Sequence, residues 1–210
     1  MNYKLCVLAA GIGKRMLPLT ENINKALLPV NEKAAISHII EKHPIEVEII
    51  IAVNYEQEKL QEYFQCCHPE RNIKFIYVDK ISQPGSGPGY SLLCCRDYLQ
   101  SPFVLTTVDT LVEEGCPEPD ENWMGTSKIE DSENYCTVVL EKSEDRIKEL
   151  NDKVPCHNAQ AFIGLAGIKD YKLFFSSLSS NKIEIKGEIQ VSNGFRGLIN
   201  EGLKQREFTW

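Results

Sequence analysis

Leu8-Ala9-Ala10-Gly11-Ile12-Gly13-Lys14-Arg15-Met16-Leu17-Pro18-Leu19-Thr20, with Asn24-Lys25-Ala26-Leu27-Leu28-Pro29-Val30 close behind, is the stretch from which the fold is read. An apolar run from Tyr3 to Ala9 leads into it and reads as a buried first strand. Small residues and two glycines then let the backbone turn sharply and approach a ligand closely. Amide N–H groups exposed in such a turn can hold phosphate oxygens, and Arg15 and Lys25 add positive charge. That combination suits a nucleoside triphosphate.

Downstream, strand-like and helix-like segments alternate. Ala34 to His43 has apolar residues at helical spacing, and the β-branched run Val47 to Asn54 has the character of a central parallel strand. Glu56 to Gln65 reads as a helix and Ile73 to Val78 as a third strand. This alternation predicts an α/β fold: right-handed crossovers and a mostly parallel, Rossmann-like sheet flanked by helices. Ligands in such sheets gather at the carboxyl ends of the strands, where the first loop lies. A dinucleotide-binding dehydrogenase does not fit. The glycine spacing differs, and the second strand closes on Asn54 rather than on an acidic residue.

The 210 residues are enough for one ordinary domain with a real core, and the net charge of −7 argues against a nucleic-acid scaffold or a membrane-surface binder. No apolar run approaches a membrane span, and the first strand leaves no room for a secretory signal, so a cytoplasmic location is expected. Eight cysteines are present, including the adjacent pairs Cys66-Cys67 and Cys94-Cys95, but no C-x-x-C spacing. They read as reduced thiols serving as small apolar residues. The histidines His38, His43, His68 and His157 are scattered without ligand spacing, so no zinc site is expected.

Gln83-Pro84-Gly85-Ser86-Gly87-Pro88-Gly89 is a loop that opens a helix from Tyr90 to Tyr98. It reads either as a plain connection or as a pocket where glycine lets a base lie flat on the backbone. Pro102 to Leu111 is an apolar strand carrying Asp109 at its end, either capping a turn or presented at the ligand edge. Past an acidic excursion at 113–122, shorter strands are expected at Trp123 to Ile129, Tyr135 to Glu141 and Arg146 to Leu150, with turns at Glu130-Asp131-Ser132-Glu133-Asn134 and Ser143-Glu144-Asp145. Tyr171 to Leu178 reads as a helix, and Gly187-Glu188 as the opening of another that runs through Ile199. At such a helix start Glu188 would complement the macrodipole.

The signature loop resembles that of the sugar-1-phosphate nucleotidylyltransferases, also called nucleotide-sugar pyrophosphorylases. Their pattern is Leu-Ala-(Ala/Gly)-Gly-x-Gly-x-Arg-(Leu/Met)-x-Pro-Leu-Thr followed by Pro-Lys-x-(Leu/Met)-(Leu/Val)-Pro-(Ile/Val). Asn24 stands where that family usually has proline.

The resemblance implies a GT-A-like fold with a smaller acceptor-side β region. It implies transfer of a nucleoside monophosphate from a triphosphate to a sugar 1-phosphate, in the service of nucleotide-sugar and cell-surface polysaccharide synthesis. It further implies that Arg15, Lys25 and Asp109 carry the reaction, with Asp109 binding magnesium. Leu8, Ala9, Ala10, Gly11, Gly13 and Lys14 would cradle the nucleotide, while Gln83 and Gly87 match the family's base-reading stretch.

For the acceptor, Lys153 matches a phosphate-contacting lysine in Asp152-Lys153-Val154, and Glu188 a glutamate that contacts the acceptor. Gly164-Leu165-Ala166-Gly167-Ile168 resembles the strand lining the acceptor pocket, which puts Gly167 in that pocket and Leu165 in place of an asparagine. One domain, 1–210, is expected, with a nucleotide half at 1–112 and an acceptor half at 113–210. The chain stops at Trp210, just before the family's second metal-binding aspartate, so the C-terminal end of the domain is expected to be missing. Two alternatives stand beside this reading: a cytidylyltransferase acting on phosphocholine or another small phosphate, and a non-catalytic regulatory module of the same fold.

Overall fold

The computed structural model describes residues 3–141, 145–155, 157–180 and 183–209. Strand β1 (Lys4–Leu8) is followed by two short 3-10 turns, Lys14–Met16 and Lys25–Leu27, and by the hairpin of β2 (Pro29–Val30) and β3 (Lys33–Ala34). Helix α1 (Ala35–Ile40), strand β4 (Glu48–Val53), helix α2 (Gln57–Cys67) and strand β5 (Ile73–Tyr77) come next. Helix α3 (Pro88–Cys94) and strand β6 (Phe103–Thr107) complete the first part. Then follow β7 (Trp123–Asp131), β8 (Cys136–Leu140), β9 (Ile147–Asp152) and the long β10 (His157–Ile168). Helix α4 (Tyr171–Ser180), the hairpin β11 (Glu184–Ile185) and β12 (Glu188–Ile189), helix α5 (Ser192–Leu198) and β13 (Lys204–Glu207) close the described chain.

The main sheet runs β13-β7-β10-β6-β1-β4-β5, with β8 and β9 extending from β10. Strands β5, β4, β1 and β6 are mutually parallel, and β10 lies antiparallel on β6. The continuous apolar strands follow from burial on both faces. Leu5 and Val7 of β1 join Ile49 and Ile51 of β4 in a core beneath α1 and α2. Cys6 and Leu8 face the opposite core with Leu92, Phe174, Phe175 and Phe195.

Three expectations need correcting. The segment opening at Gly187 is not yet helix. Glu188 and Ile189 form β12, and α5 begins at Ser192. The cause is tertiary: Gly85 donates its amide to the Gly187 carbonyl at 2.8 Å, and Ile189 donates to Ser86 at 2.7 Å. Helix α3 starts two residues early, at Pro88, whose fixed φ suits a first helical turn. Of the seven described cysteines, Cys6 and Cys95 are buried, but Cys66 and Cys67 are exposed at the end of α2 rather than packed. Residues 143 and 144 of one expected turn lie outside the described residues, as do Cys156 and Trp210; for His157 only the backbone is described.

Candidate active site

Register fixes where the site lies. Leu8 at the end of β1 is level with Ala52 of β4 and Thr107 of β6, so the loops after these strands leave one edge of the sheet together. The loop after β5, which contains residues 83–89, leaves the same edge, because Tyr77 is level with Val53.

Ala9 and Ala10 are buried, whereas Gly11, Lys14 and Arg15 are exposed. Gly13 has φ 71, the left-handed conformation that glycine adopts without strain, and starts the 3-10 turn Lys14–Met16. A side chain there would press on Thr20 and on the Lys25 β-carbon, so the glycine lets the two parts of the signature pack together. Thr20 holds the turn shut by donating its hydroxyl to the Gly13 carbonyl at 3.0 Å. Among the described residues, the amides of Gly11, Ile12 and Gly13 donate to no backbone acceptor. Neither Lys14 nor Arg15 makes an ion pair among them.

Asn24 explains how Lys25 is placed. Its fully buried side chain donates to the Ala9 carbonyl at 2.9 Å and to the Tyr55 carbonyl at 2.8 Å, and accepts from the Ala26 amide at 3.0 Å. One side chain thus ties the ends of β1 and β4 to the 3-10 turn that begins at Lys25. From there the Lys25 ammonium reaches the Asp109 carboxylate at 2.8 Å, bringing together residues 84 apart in sequence.

Asp109 sits in the turn after β6, closed by the Thr110 amide donating to the Thr107 carbonyl at 3.2 Å. Burial pushes its pKa up, but the charge of Lys25 and its hydrogen bond outweigh this and leave the carboxyl below its ordinary range. Its side chain is still 48% exposed, which leaves room for a ligand.

Two glycines of loop 83–89, Gly87 and Gly89, have a packing role. A side chain on Gly87 would lie 2.8 Å from the Glu188 β-carbon, and one on Gly89 would lie 2.8 Å from the Ile189 carbonyl. The glycines admit β12, not only a ligand. This contact joins Gly87 to Glu188, assigned above to the nucleotide and the acceptor respectively. Gln83 is exposed at the loop's start and accepts the Ser86 amide at 3.0 Å.

The remaining acceptor candidates separate. Lys153 follows the end of β9 with φ 54. Its neighbour Asp152 accepts from Ser192 at 2.7 Å and from Arg196 at 2.9 Å, so α5 anchors this corner. Because α5 follows β12 directly, Lys153 and Glu188 hang from its start. Gly167 does not belong with them. It pairs with Val104, toward the opposite end of the sheet, and a side chain there would lie 2.1 Å from the Trp123 indole nitrogen. Its smallness serves packing under Trp123. Leu165 likewise faces the α1-side core, so it does not stand in for an acceptor-binding amide. The glycine of this strand at the ligand edge is Gly164, with φ 89, at an irregularity between Phe162 and Ala166.

With this geometry in view, the family follows. Residues 5–114 match the model of the MobA-like NTP transferase domain, and the chain belongs to that family. Among individual relatives, the chain is 32% identical over 199 residues to the bifunctional protein GlmU of Methanocaldococcus jannaschii, covering 93% of this chain and 46% of the relative. It is 35% identical over 104 residues to the choline-phosphate cytidylyltransferase of Streptococcus pneumoniae, covering 49% of this chain and 43% of that one. The chain therefore spans about half the length of the curated relatives it matches. Two solved structures share the fold. One is a UDP-glucose pyrophosphorylase complexed with UDP-glucose, with TM-score 0.79 and 20% identity over 99% of this chain and 92% of that one. The other is a CTP:phosphocholine cytidylyltransferase from Streptococcus pneumoniae, with TM-score 0.76 and 21% identity over 100% and 91%.

Proposed function

We propose that this chain is a nucleotidyltransferase that moves a nucleoside monophosphate from a nucleoside triphosphate to a sugar 1-phosphate, releasing pyrophosphate. The observation that carries the reading is the Lys25–Asp109 pair at 2.8 Å beside the glycine turn at the carboxyl edge of the sheet. In this reading residues 1–112 hold the nucleotide and 113–210 the acceptor. The reaction serves nucleotide-sugar and cell-surface polysaccharide synthesis in the cytoplasm.

The acceptor phosphate is ionised near neutral pH, its second pKa being about 6, so it needs no general base. One of its oxygens bonds to the α-phosphorus as the bond from that phosphorus to the β-phosphate oxygen breaks, and pyrophosphate leaves with the electron pair. Catalysis is then a matter of aligning two polyanions and offsetting their repulsion. Arg15 takes the β- and γ-phosphates, and the amides of Gly11 and Gly13 cradle them together with Lys14. Lys25 neutralises charge at the reacting phosphorus. Lys153 and Glu188 orient the acceptor, and Gln83 and Gly87 lie beside the base.

Magnesium fits the residues present. Asp109 is an ionised oxygen donor, half open at the ligand edge, and magnesium characteristically takes one or two carboxylates and completes its shell with phosphates and water. Bound there, the ion supplies charge neutralisation on the phosphates.

The test is pyrophosphate release by the full chain from each common triphosphate with magnesium, offered glucose 1-phosphate, N-acetylglucosamine 1-phosphate or phosphocholine. Release with a sugar phosphate supports the proposal. Release with phosphocholine alone favours the second reading, which the likeness to the choline-phosphate cytidylyltransferase motivates. Nucleotide binding without release under any pairing overturns both in favour of a regulatory module.

A further inference from the structure

Asp109 is held from beside as well as from in front. The Thr110 side chain is buried, with the residue 5% exposed, and its hydroxyl donates to the Ile163 carbonyl on β10. Its oxygen accepts in turn from the Thr107 hydroxyl at 2.8 Å, since its own proton is committed to Ile163. The next residue on β10 is Gly164, where a side chain would fall 2.6 Å from the Thr107 hydroxyl and 2.9 Å from that of Thr110. A break in strand register and a left-handed glycine therefore let β10 bring one carbonyl against the turn that bears Asp109.

We propose that Thr110 is a positioning residue for Asp109, fixing its turn to β10 so that the carboxylate faces the metal and the triphosphate. The proposal rests on the role given to Asp109 above. Pinning by a buried hydroxyl differs from general packing. Valine keeps the shape of threonine but leaves the Ile163 carbonyl unpaired, and serine keeps the bond while losing only a methyl.

The experiment uses the full chain as Thr110→Val and Thr110→Ser, each with Asp109 intact and with Asp109→Asn. It measures the dissociation constant of Mn2+ in the presence of UTP and, in parallel, CTP. Urea melts verify folding. With Asp109 intact, Thr110→Val raises the Mn2+ dissociation constant about tenfold and lowers kcat about tenfold with acceptor KM unchanged, whereas Thr110→Ser stays within twofold. With Asp109→Asn, Thr110→Val changes Mn2+ binding by less than twofold, because the group it positions is gone. Gly164→Ala, which crowds both hydroxyls from the other strand, reproduces the Mn2+ defect and covers the case in which Thr110→Val does not fold. Equal effects of Thr110→Val in both backgrounds, or unchanged Mn2+ binding in Thr110→Val, overturn the proposal and leave the role of Asp109 intact. Wild-type Mn2+ binding by Asp109→Asn alone overturns the reading beneath it.

Discussion

Replacing Asn24 by alanine removes three hydrogen bonds from a site with no solvent exposure. The carbonyls of Ala9 and Tyr55 and the amide of Ala26 lose their side-chain partner together. A typical hydrogen bond is worth about 1 kcal/mol net, and a buried group left unpaired costs about 1–3 kcal/mol, so the loss should be about 3–5 kcal/mol. For a chain of this size that corresponds to a melting temperature lower by roughly 6–20 °C. Asn24→Pro is the sharper comparison. The native φ of −63 suits proline at position 24, and the Asn24 amide donates to no backbone acceptor among the described residues, so the main loss is the three side-chain bonds. Urea denaturation of both variants, with pyrophosphate release measured well below the transition, separates stability from the placement of Lys25. A stability change under 1 kcal/mol in Asn24→Ala would refute the idea that this side chain braces the loop.

Lys25→Met should slow pyrophosphate release at least about a hundredfold while shifting the urea midpoint little, because Asp109 is half exposed and such pairs add little stability; unaltered turnover contradicts the catalytic role. His43, 5% exposed and bonded to the Tyr3 hydroxyl at 3.2 Å, has its pKa lowered to about 4 by burial, with Arg71 and Lys42 adding to the effect. Its neutral form therefore stabilises the fold fully above pH 6.5, and about 3 kcal/mol is lost as pH falls toward 4; urea midpoints across that window check it, and NMR titration of His43 near 6.5 refutes it. Gly167→Ala should cost about 1–3 kcal/mol by forcing Trp123 aside, with pyrophosphate release unchanged under folding conditions; loss of activity without loss of stability would return Gly167 to the acceptor site.

The parallel core and its ligand edge were legible because the information is local. Strands such as Ile49 to Val53 are buried on both faces and are apolar throughout, and the carboxylate at the end of β6 follows its own strand. Lys25 and Asp109 could both be placed at that edge, but their contact at 2.8 Å is known only from the fold. What escaped depends on partners distant in sequence. Gly164 and Gly167 look alike in the chain, and only the Trp123 ring over one and the Thr107 hydroxyl against the other tell them apart. Glu188 resembles a helix start until Ser86, about a hundred residues earlier, is seen to take the neighbouring amide. In the sequence Asn24 is a plain departure from the family pattern, yet its amide reaches two carbonyls that no local rule connects.

The antiparallel seating of β10 on β6 bears on how the chain matures as it is synthesised. A nascent chain that has emerged only to residue 114 contains β1, β4, β5 and β6, but one side of β6 is still an unpaired edge, open to association with other chains. Ile163, the acceptor for Thr110, lies 53 residues further on. The turn bearing Asp109 thus acquires its final support only after most of the polypeptide has left the ribosome, and the segment matched by the family model depends for its finished shape on strands made after it.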